Sequence, residues 1–217
     1  MAPMSQSTRI LAIRHGETAW NVDTRIQGHL DIPLNDTGRW QAERVARALA
    51  ARDPINAVYS SDLQRAHDTA KAIADATGAP MAAHPGLRER GFGLFEGKTY
   101  AEIEQTWPEE SALWRHRHPE WAPPGGESLL QVRERILHTL RELTAPHAGQ
   151  QIVLVAHGGV MDQLYRLATG QDLQAPRTWQ LGNTAVNRLL GTPEGMSLIG
   201  WADTSHLEDD TLDETST

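Results

Sequence analysis

The 217-residue chain contains no cysteine. That excludes disulfides, thiolate nucleophiles, zinc ribbons and iron–sulfur clusters together. Lysine is nearly absent too: Lys71 and Lys98 are the only two, and the other basic residues are arginines. The planar guanidinium suits bidentate contacts to oxyanions, so the position of each arginine matters. No run approaches the ~18 consecutive apolar residues that suggest a membrane span. Met1 to Thr8 is polar and lacks the apolar segment of a secretory signal. A cytoplasmic protein without a membrane partner is therefore expected. The formal charge of −8 argues against general nucleic-acid binding. Part of that charge lies in 208–217, where Glu208, Asp209, Asp210, Asp213 and Glu214 are expected to form a disordered, solvated tail.

The remainder is sufficient for one sizeable core: 39% of residues are hydrophobic and only 22% are charged. A single domain over 1–207 is expected. Residues 9–14 and 151–156 are apolar on both faces, as in central parallel strands. Shorter strands are expected at 57–59, 81–83, 186–190 and 196–201. Between them lie helical patterns. One is capped by Asn35 or Thr37 and runs to Arg52, and one is capped by Ser61 and runs over 62–77. Two more cover 129–144, opened by Glu127-Ser128, and 158–169. Strands alternating with helices indicate an α/β three-layer sandwich, with a mostly parallel central sheet and helices on both faces. Residues 100–126 are too long for a tight connection and are expected to form a small helical flap over one end of the sheet.

In open α/β sheets, ligands bind beyond the carboxyl ends of the strands. The two most apolar strands both run into His-Gly, at His15-Gly16 and His157-Gly158. A titratable group there is costly without partners. If the strands are neighbours, both imidazoles sit over one spot. The glycines then allow close approach of a ligand, and the helix after His157 aims its first N–H groups at an anion. Arg14, beside His15, carries the planar fork that suits an oxyanion. Arg65, in the first turn of the helix after Ser61, faces the positive helix end, a mild cost that suggests a ligand. No His/carboxylate spacing favours a metal site.

Leu11-Ala12-Ile13-Arg14-His15-Gly16-Glu17-Thr18, followed by Trp20-Asn21, resembles the signature of the histidine phosphatase superfamily, the phosphoglycerate mutase-like fold. The resemblance continues in order through Ile26-Gln27-Gly28, Ser60-Ser61-Asp62-Leu63-Gln64-Arg65-Ala66, Leu87-Arg88-Glu89, Gly126-Glu127-Ser128 and Val155-Ala156-His157-Gly158-Gly159. It spans residues 10–207. The resemblance implies that His15 is the nucleophile, becoming phosphohistidine, and that Glu89 is the general acid. Such an acid must hold a proton near neutral pH, which burial or a neighbouring anion favours. His157 would stabilise the transferring phosphoryl group. Arg14, Asn21, Gln27, Gly28, Arg65 and Gly158 would bind it. No metal or other cofactor is implied.

The same chemistry supports a phosphatase, in which water takes the phosphoryl group, or a mutase, in which a substrate hydroxyl takes it. Phe92 stands where the mutase branch is expected to carry a tyrosine. Arg115 and Arg117 are separated by His116 where that branch has an adjacent arginine pair. The favoured reading is a phosphomonoesterase acting on a small-molecule phosphate ester. The alternatives are a phosphoglycerate mutase and, from a different class, a non-catalytic binder of phosphorylated ligands. A pure binder has no use for the acid at Glu89. Arg115 and Arg117 would still permit an acidic substrate. Trp107, Trp114 and Trp121 either line the mouth of the site or form the core of the flap. The oligomeric state is left open, with a homodimer as one option.

Overall fold

The computed structural model describes residues 7–52 and 54–208. The strands are β1 (Thr8–Arg14), β2 (Ala57–Ser60), β3 (Met81–Ala83), β4 (Gln151–Ala156), β5 (Val186–Thr192) and β6 (Gly195–Asp203). The helices are α1 (Ala19–Val22), α2 (Asp36–Arg52), α3 (Gln64–Thr77), α4 (Tyr100–Thr106), α5 (Pro108–Arg115), α6 (Leu129–Thr144) and α7 (Gly158–Thr169). The strands form one sheet in the order β3-β2-β4-β1-β5-β6. The first four of these run parallel, whereas β5 is antiparallel to β1 and β6 to β5. The expected α/β architecture is borne out.

The continuous apolarity of the central strands has a direct cause: both of their faces are covered. Alternate side chains point to opposite faces. Ile10, Ala12, Ile152 and Leu154 pack with Val132, Ile136 and Leu140 of α6 and Val160, Met161 and Leu164 of α7. Leu11, Ile13, Val153 and Val155 pack with Val45 and Leu49 of α2 and Ala66, Ala70 and Ile73 of α3. A third cluster is built on Ile26, Phe95 and Ile103, with Trp107, Trp114 and Trp121 against it. The tryptophans thus form the core of the flap, and Trp114 also reaches the cleft beside the sheet.

Three local expectations are corrected. The helical flap expected over 100–126 contains two helices, α4 and α5, because Trp107 leaves helical geometry (φ −134°) and Pro108 starts a new helix. A proline lacks the N–H that continues a helix, but it fits a first helical position. Ser61 is not the cap of α3. That cap is Leu63, without a side-chain bond, while Ser61 accepts from the Leu63 N–H and Asp31 accepts from the Gln64 N–H at 2.7 Å. A carboxylate 33 residues away, invisible to local pattern, thus serves the first turn. Finally, the acidic tail was expected from Glu208 onward. The Glu208 carbonyl instead accepts from Arg44 at 2.7 Å, and residues 209–217 lie outside the described residues.

The register of β1 on β4 places Arg14 opposite Ala156, and the His15 N–H continues the ladder to the Ala156 carbonyl at 2.9 Å. The next residue of each strand is a histidine.

Candidate active site

The two imidazoles converge. Their ring centroids lie 5.2 Å apart, and both rings are essentially buried. The His15 Nδ1 lies 2.6 Å from the Gly16 carbonyl. A carbonyl only accepts, so Nδ1 carries the hydrogen. Burial, with Arg14 and Arg65 adjacent, holds the His15 pKa well below its ordinary value. The neutral ring then has its lone pair on Nε2. Burial, together with Arg65 and His15, lowers His157 in the same direction. Neither His157 nitrogen has a protein hydrogen bond.

The guanidinium groups are pinned by carbonyls rather than carboxylates. Arg14 donates from Nη1 to the Leu181 carbonyl at 2.5 Å, and Arg65 donates to the carbonyls of Leu30 and Gly28 at 2.8 and 2.9 Å. Arg65 is buried rather than lying on the surface, and desolvation lowers its pKa to about 10, so it remains charged at neutral pH. The Nε atoms of Arg14 and Arg65 and the Oε1 of the buried Gln27 also lack partners. An unpaired buried polar group costs about 1–3 kcal/mol. Arg14, Gln27 and Arg65 line one cleft with His15, and the His157 ring packs against His15. A tetrahedral oxyanion would satisfy the donors among them together. Asn21 turns the same way: its Oδ1 accepts from Thr18, which leaves its NH2 group for the cleft.

Glu89 approaches from the loop after β3. Its carboxylate accepts from the Gly159 N–H at 3.0 and 3.1 Å and from the Arg90 N–H at 2.8 Å. It forms no ion pair with the neighbouring arginine side chains. Arg88 pairs with Asp62 at 2.6 Å, and Arg90 is buried, with its Nε on the Glu127 carbonyl. The anion expected at the N-terminus of α7 is therefore, in part, the chain's own Glu89 carboxylate. The loop is held from behind by Arg135, which donates to the carbonyls of Gly86, Arg88 and Glu89 and pairs with Glu127. His29 caps the Glu89 carbonyl from the other side at 2.8 Å.

The glycines play different parts from those expected. A Cβ on Gly16 would lie 2.4 Å from the Gly38 carbonyl oxygen, so its bareness serves backbone packing on α2. Gly28 has φ +50°, and a Cβ there would strike Glu96. Gly158 lines the cleft, but a Cβ would make only ordinary contacts, 3.6 Å to the Arg14 Nε. The constrained position is Gly159, where a Cβ would sit 2.3 Å from the Glu89 Oε1. Gly159→Ala is expected to displace the Glu89 carboxylate and, if Glu89 is the general acid that the family resemblance implies, to lower kcat on alkyl phosphates by about tenfold or more, while Gly158→Ala costs less. Circular dichroism would stay unchanged, since alanine favours the helix. Equal losses in the two variants would remove this role for Gly159.

Other supporting residues escaped the sequence reading. Asn183 donates to the His15 carbonyl at 2.8 Å, the Thr184 N–H donates to the Arg14 carbonyl at 2.9 Å, and Thr69 accepts from the Gly16 N–H at 3.0 Å. Each is a single polar residue far away in the chain, with no local spacing to mark it. Of the other carboxylates near the cleft, Glu17 accepts from Asn35, and Glu96 accepts from the N–H groups of His29 and Phe92. Arg115 and Arg117, expected to be available for a substrate, pair with Glu104 and Asp162 at 2.9 and 2.7 Å.

Residues 10–204 match the histidine phosphatase superfamily (branch 1). The chain belongs to that family. It is 41% identical over 203 residues to phosphoglycerate mutase-like protein 4 of Arabidopsis thaliana, covering 92% of this chain and 87% of the relative. It is 37% identical over 205 residues to the metal-independent phosphoserine phosphatase of the same plant, covering 94% and 84%. A mycobacterial glucosyl-3-phosphoglycerate phosphatase solved with VO3 superposes with a TM-score of 0.80 at 33% identity, over 90% of this chain and 99% of that one. The family expected from the His-Gly motifs is thus established, and the phosphomonoesterase reading agrees with the phosphatases among its relatives.

Proposed function

We propose that this protein hydrolyses a small phosphorylated metabolite in the cytoplasm through a phosphohistidine on His15. The observation that carries this reading is the neutral, buried His15, whose Nδ1–H is engaged and whose Nε2 is left as the lone pair, beside unpartnered nitrogens of Arg14, Arg65 and His157. Among the described residues no helix is long and apolar enough to cross a membrane.

The phosphoryl group lies between the two guanidinium groups, with Asn21, Gln27 and the backbone of Gly28 and Gly158 around its oxygens. The His15 Nε2 lone pair forms the N–P bond while the ester P–O bond breaks. Glu89 gives its proton to the departing oxygen, so the alcohol leaves neutral. His157 and the arginines stabilise the charge spread over the equatorial oxygens. Water then attacks phosphorus, Glu89 takes its proton, the N–P bond breaks, and phosphate leaves with His15 neutral again. No metal enters any step.

A mutase would have to hold the leaving alcohol and present its second hydroxyl to phosphohistidine. Phe92 supplies no hydroxyl for that purpose, and Arg117 is tied to Asp162. A parallel assay separates the two outcomes. Phosphate release and the conversion of 3- to 2-phosphoglycerate are followed with and without 2,3-bisphosphoglycerate. Phosphate release that ignores the bisphosphate is expected. Interconversion that outruns phosphate release and requires the bisphosphate would assign a mutase instead.

A further inference from the structure

The cleft beside His15 measures about 640 Å³, more than a phosphoryl group fills, which leaves room for a leaving alcohol. The cations of its wall fall into two groups. Arg25 donates to the Gly97 carbonyl and Glu102, Arg90 to the Glu127 carbonyl, Arg115 pairs with Glu104, and Arg117 pairs with Asp162. Arg177 also lines the cleft, yet among the described residues its side chain has neither a hydrogen bond nor an ion pair.

The segment that carries Arg177 is nonetheless built and anchored. Before it, Arg166 donates to the carbonyls of Asp172 and Ala175, and Arg117 donates from Nε to the Leu173 carbonyl at 2.7 Å. After it, Trp201 donates to the Gln180 carbonyl at 2.8 Å, and the Leu181 carbonyl accepts from Arg14 itself. The guanidinium is thus presented to the cleft from a segment whose far end touches the phosphate-facing arginine. Its charge is felt by Arg14 on one side of the cleft, where burial lowers the pKa and Arg177 adds to the shift, and by Tyr100 on the flap, where burial raises the pKa and Arg177 opposes the shift. Deeper in the wall, Asp162 is buried and bridges Arg117 and Arg166 through one oxygen, so that group carries a net positive charge. The outer wall therefore offers one free planar donor fork against a background that is not acidic.

We propose that Arg177 is a specificity-determining residue that engages a carboxylate on the leaving alcohol, making the preferred substrate a phosphate ester of a hydroxy acid. This rests on the phosphatase reading for the reaction, while the carboxylate contact can be measured by binding alone. A bidentate guanidinium–carboxylate pair is the strong form of such a contact, and partial exposure reduces it to about tenfold in affinity. The placement differs from the one the sequence suggested, since Arg115 and Arg117 already have carboxylate partners.

The test uses 3-phosphoglycerate and glycerol 3-phosphate, which differ only in carboxylate against hydroxymethyl. Their dissociation constants are measured by calorimetry on the full-length His15→Ala protein, which cannot turn them over. The carboxylate ligand is expected to bind about tenfold tighter, and Arg177→Gln is expected to abolish that preference. In Arg177→Glu the order inverts, which provides a second readout should the glutamine variant fold poorly. Equal binding of the two ligands to the parent, or a preference that survives both substitutions, overturns the proposal. Turnover of p-nitrophenyl phosphate by the wild-type protein is measured alongside. Its absence would remove the phosphatase reading, and the ratio of dissociation constants would still decide whether Arg177 reads a carboxylate.

Discussion

Replacing His15 by alanine is expected to abolish phosphate release, with a loss of about 10⁴-fold or more, because it removes the nitrogen that forms the N–P bond in the proposed reaction. The ring sits at the end of β1, pinned by its Nδ1 to the Gly16 carbonyl, and its own carbonyl is held by Asn183. Alanine removes the lone pair and leaves those backbone contacts in place. The measurement is twofold. Rapid base quench with a labelled substrate should trap a phosphoenzyme in the wild type that is lost on acidification, and none in the variant. Full activity in the variant would exclude His15 as the nucleophile.

The same substitution has a consequence for stability. His15 and His157 both have pKa values pushed below the ordinary imidazole value by burial and neighbouring arginines. Below the ordinary value, near pH 6.5, the unfolded chain takes up the proton before the folded one does. Stability is therefore fully present above that pH and falls as the pH drops from there toward the folded-state values, by up to about 1.36 kcal/mol per pH unit for each ring. His15→Ala removes one of the two contributions. Its denaturation midpoint should fall less than that of the wild type between pH 7 and pH 5. Parallel curves would mean that the His15 ring does not carry the acid sensitivity assigned to it.

Glu89→Gln is expected to give the second-largest loss, and a selective one. The amide can keep the oxygen contact to the Gly159 and Arg90 N–H groups, so the loop geometry persists. What disappears is the proton for the leaving oxygen. Alkyl phosphates, whose alkoxide leaves poorly, should slow by about 10²–10⁴-fold. p-Nitrophenyl phosphate leaves as a stabilised phenolate and should lose much less in the step that forms phosphohistidine. A burst of p-nitrophenol followed by slow turnover would locate the remaining loss in the water step, where Glu89 acts as base. A uniform loss on good and poor leaving groups would count against the acid role.

The chemistry-bearing residues were readable to different depths. His15 and His157 were legible because each follows a strand too apolar to be anything but central, and both were followed by glycine. Arg65 was legible as an anomaly, a cation at the positive end of a helix. Its burial and its bonds to the Gly28 and Leu30 carbonyls required the loop between β1 and α2 to fold over it. The helix caps show the same divide. Ser128 forms a capping box with Gln131, local and predictable, whereas α3 depends on Asp31 from another loop. Arg115 and Arg117 read as cations that permit an acidic substrate because the sequence does not show the carboxylates folded against them.

By itself the sequence determined the strand-helix alternation and the histidine that follows each central strand, because these rest on short-range periodicity and on residues adjacent in the chain, while the ordered motifs carried the resemblance to the family. Only the tertiary structure decided that β1 and β4 are neighbours in register, so that the two rings meet. It alone decided that Gly159, not Gly158, makes room for Glu89, and that Arg177 alone among the arginines lining the described cleft has no protein partner. These are relations between segments 70 to 170 residues apart. They are set by which surfaces bury together, and no local pattern of residue types encodes that choice.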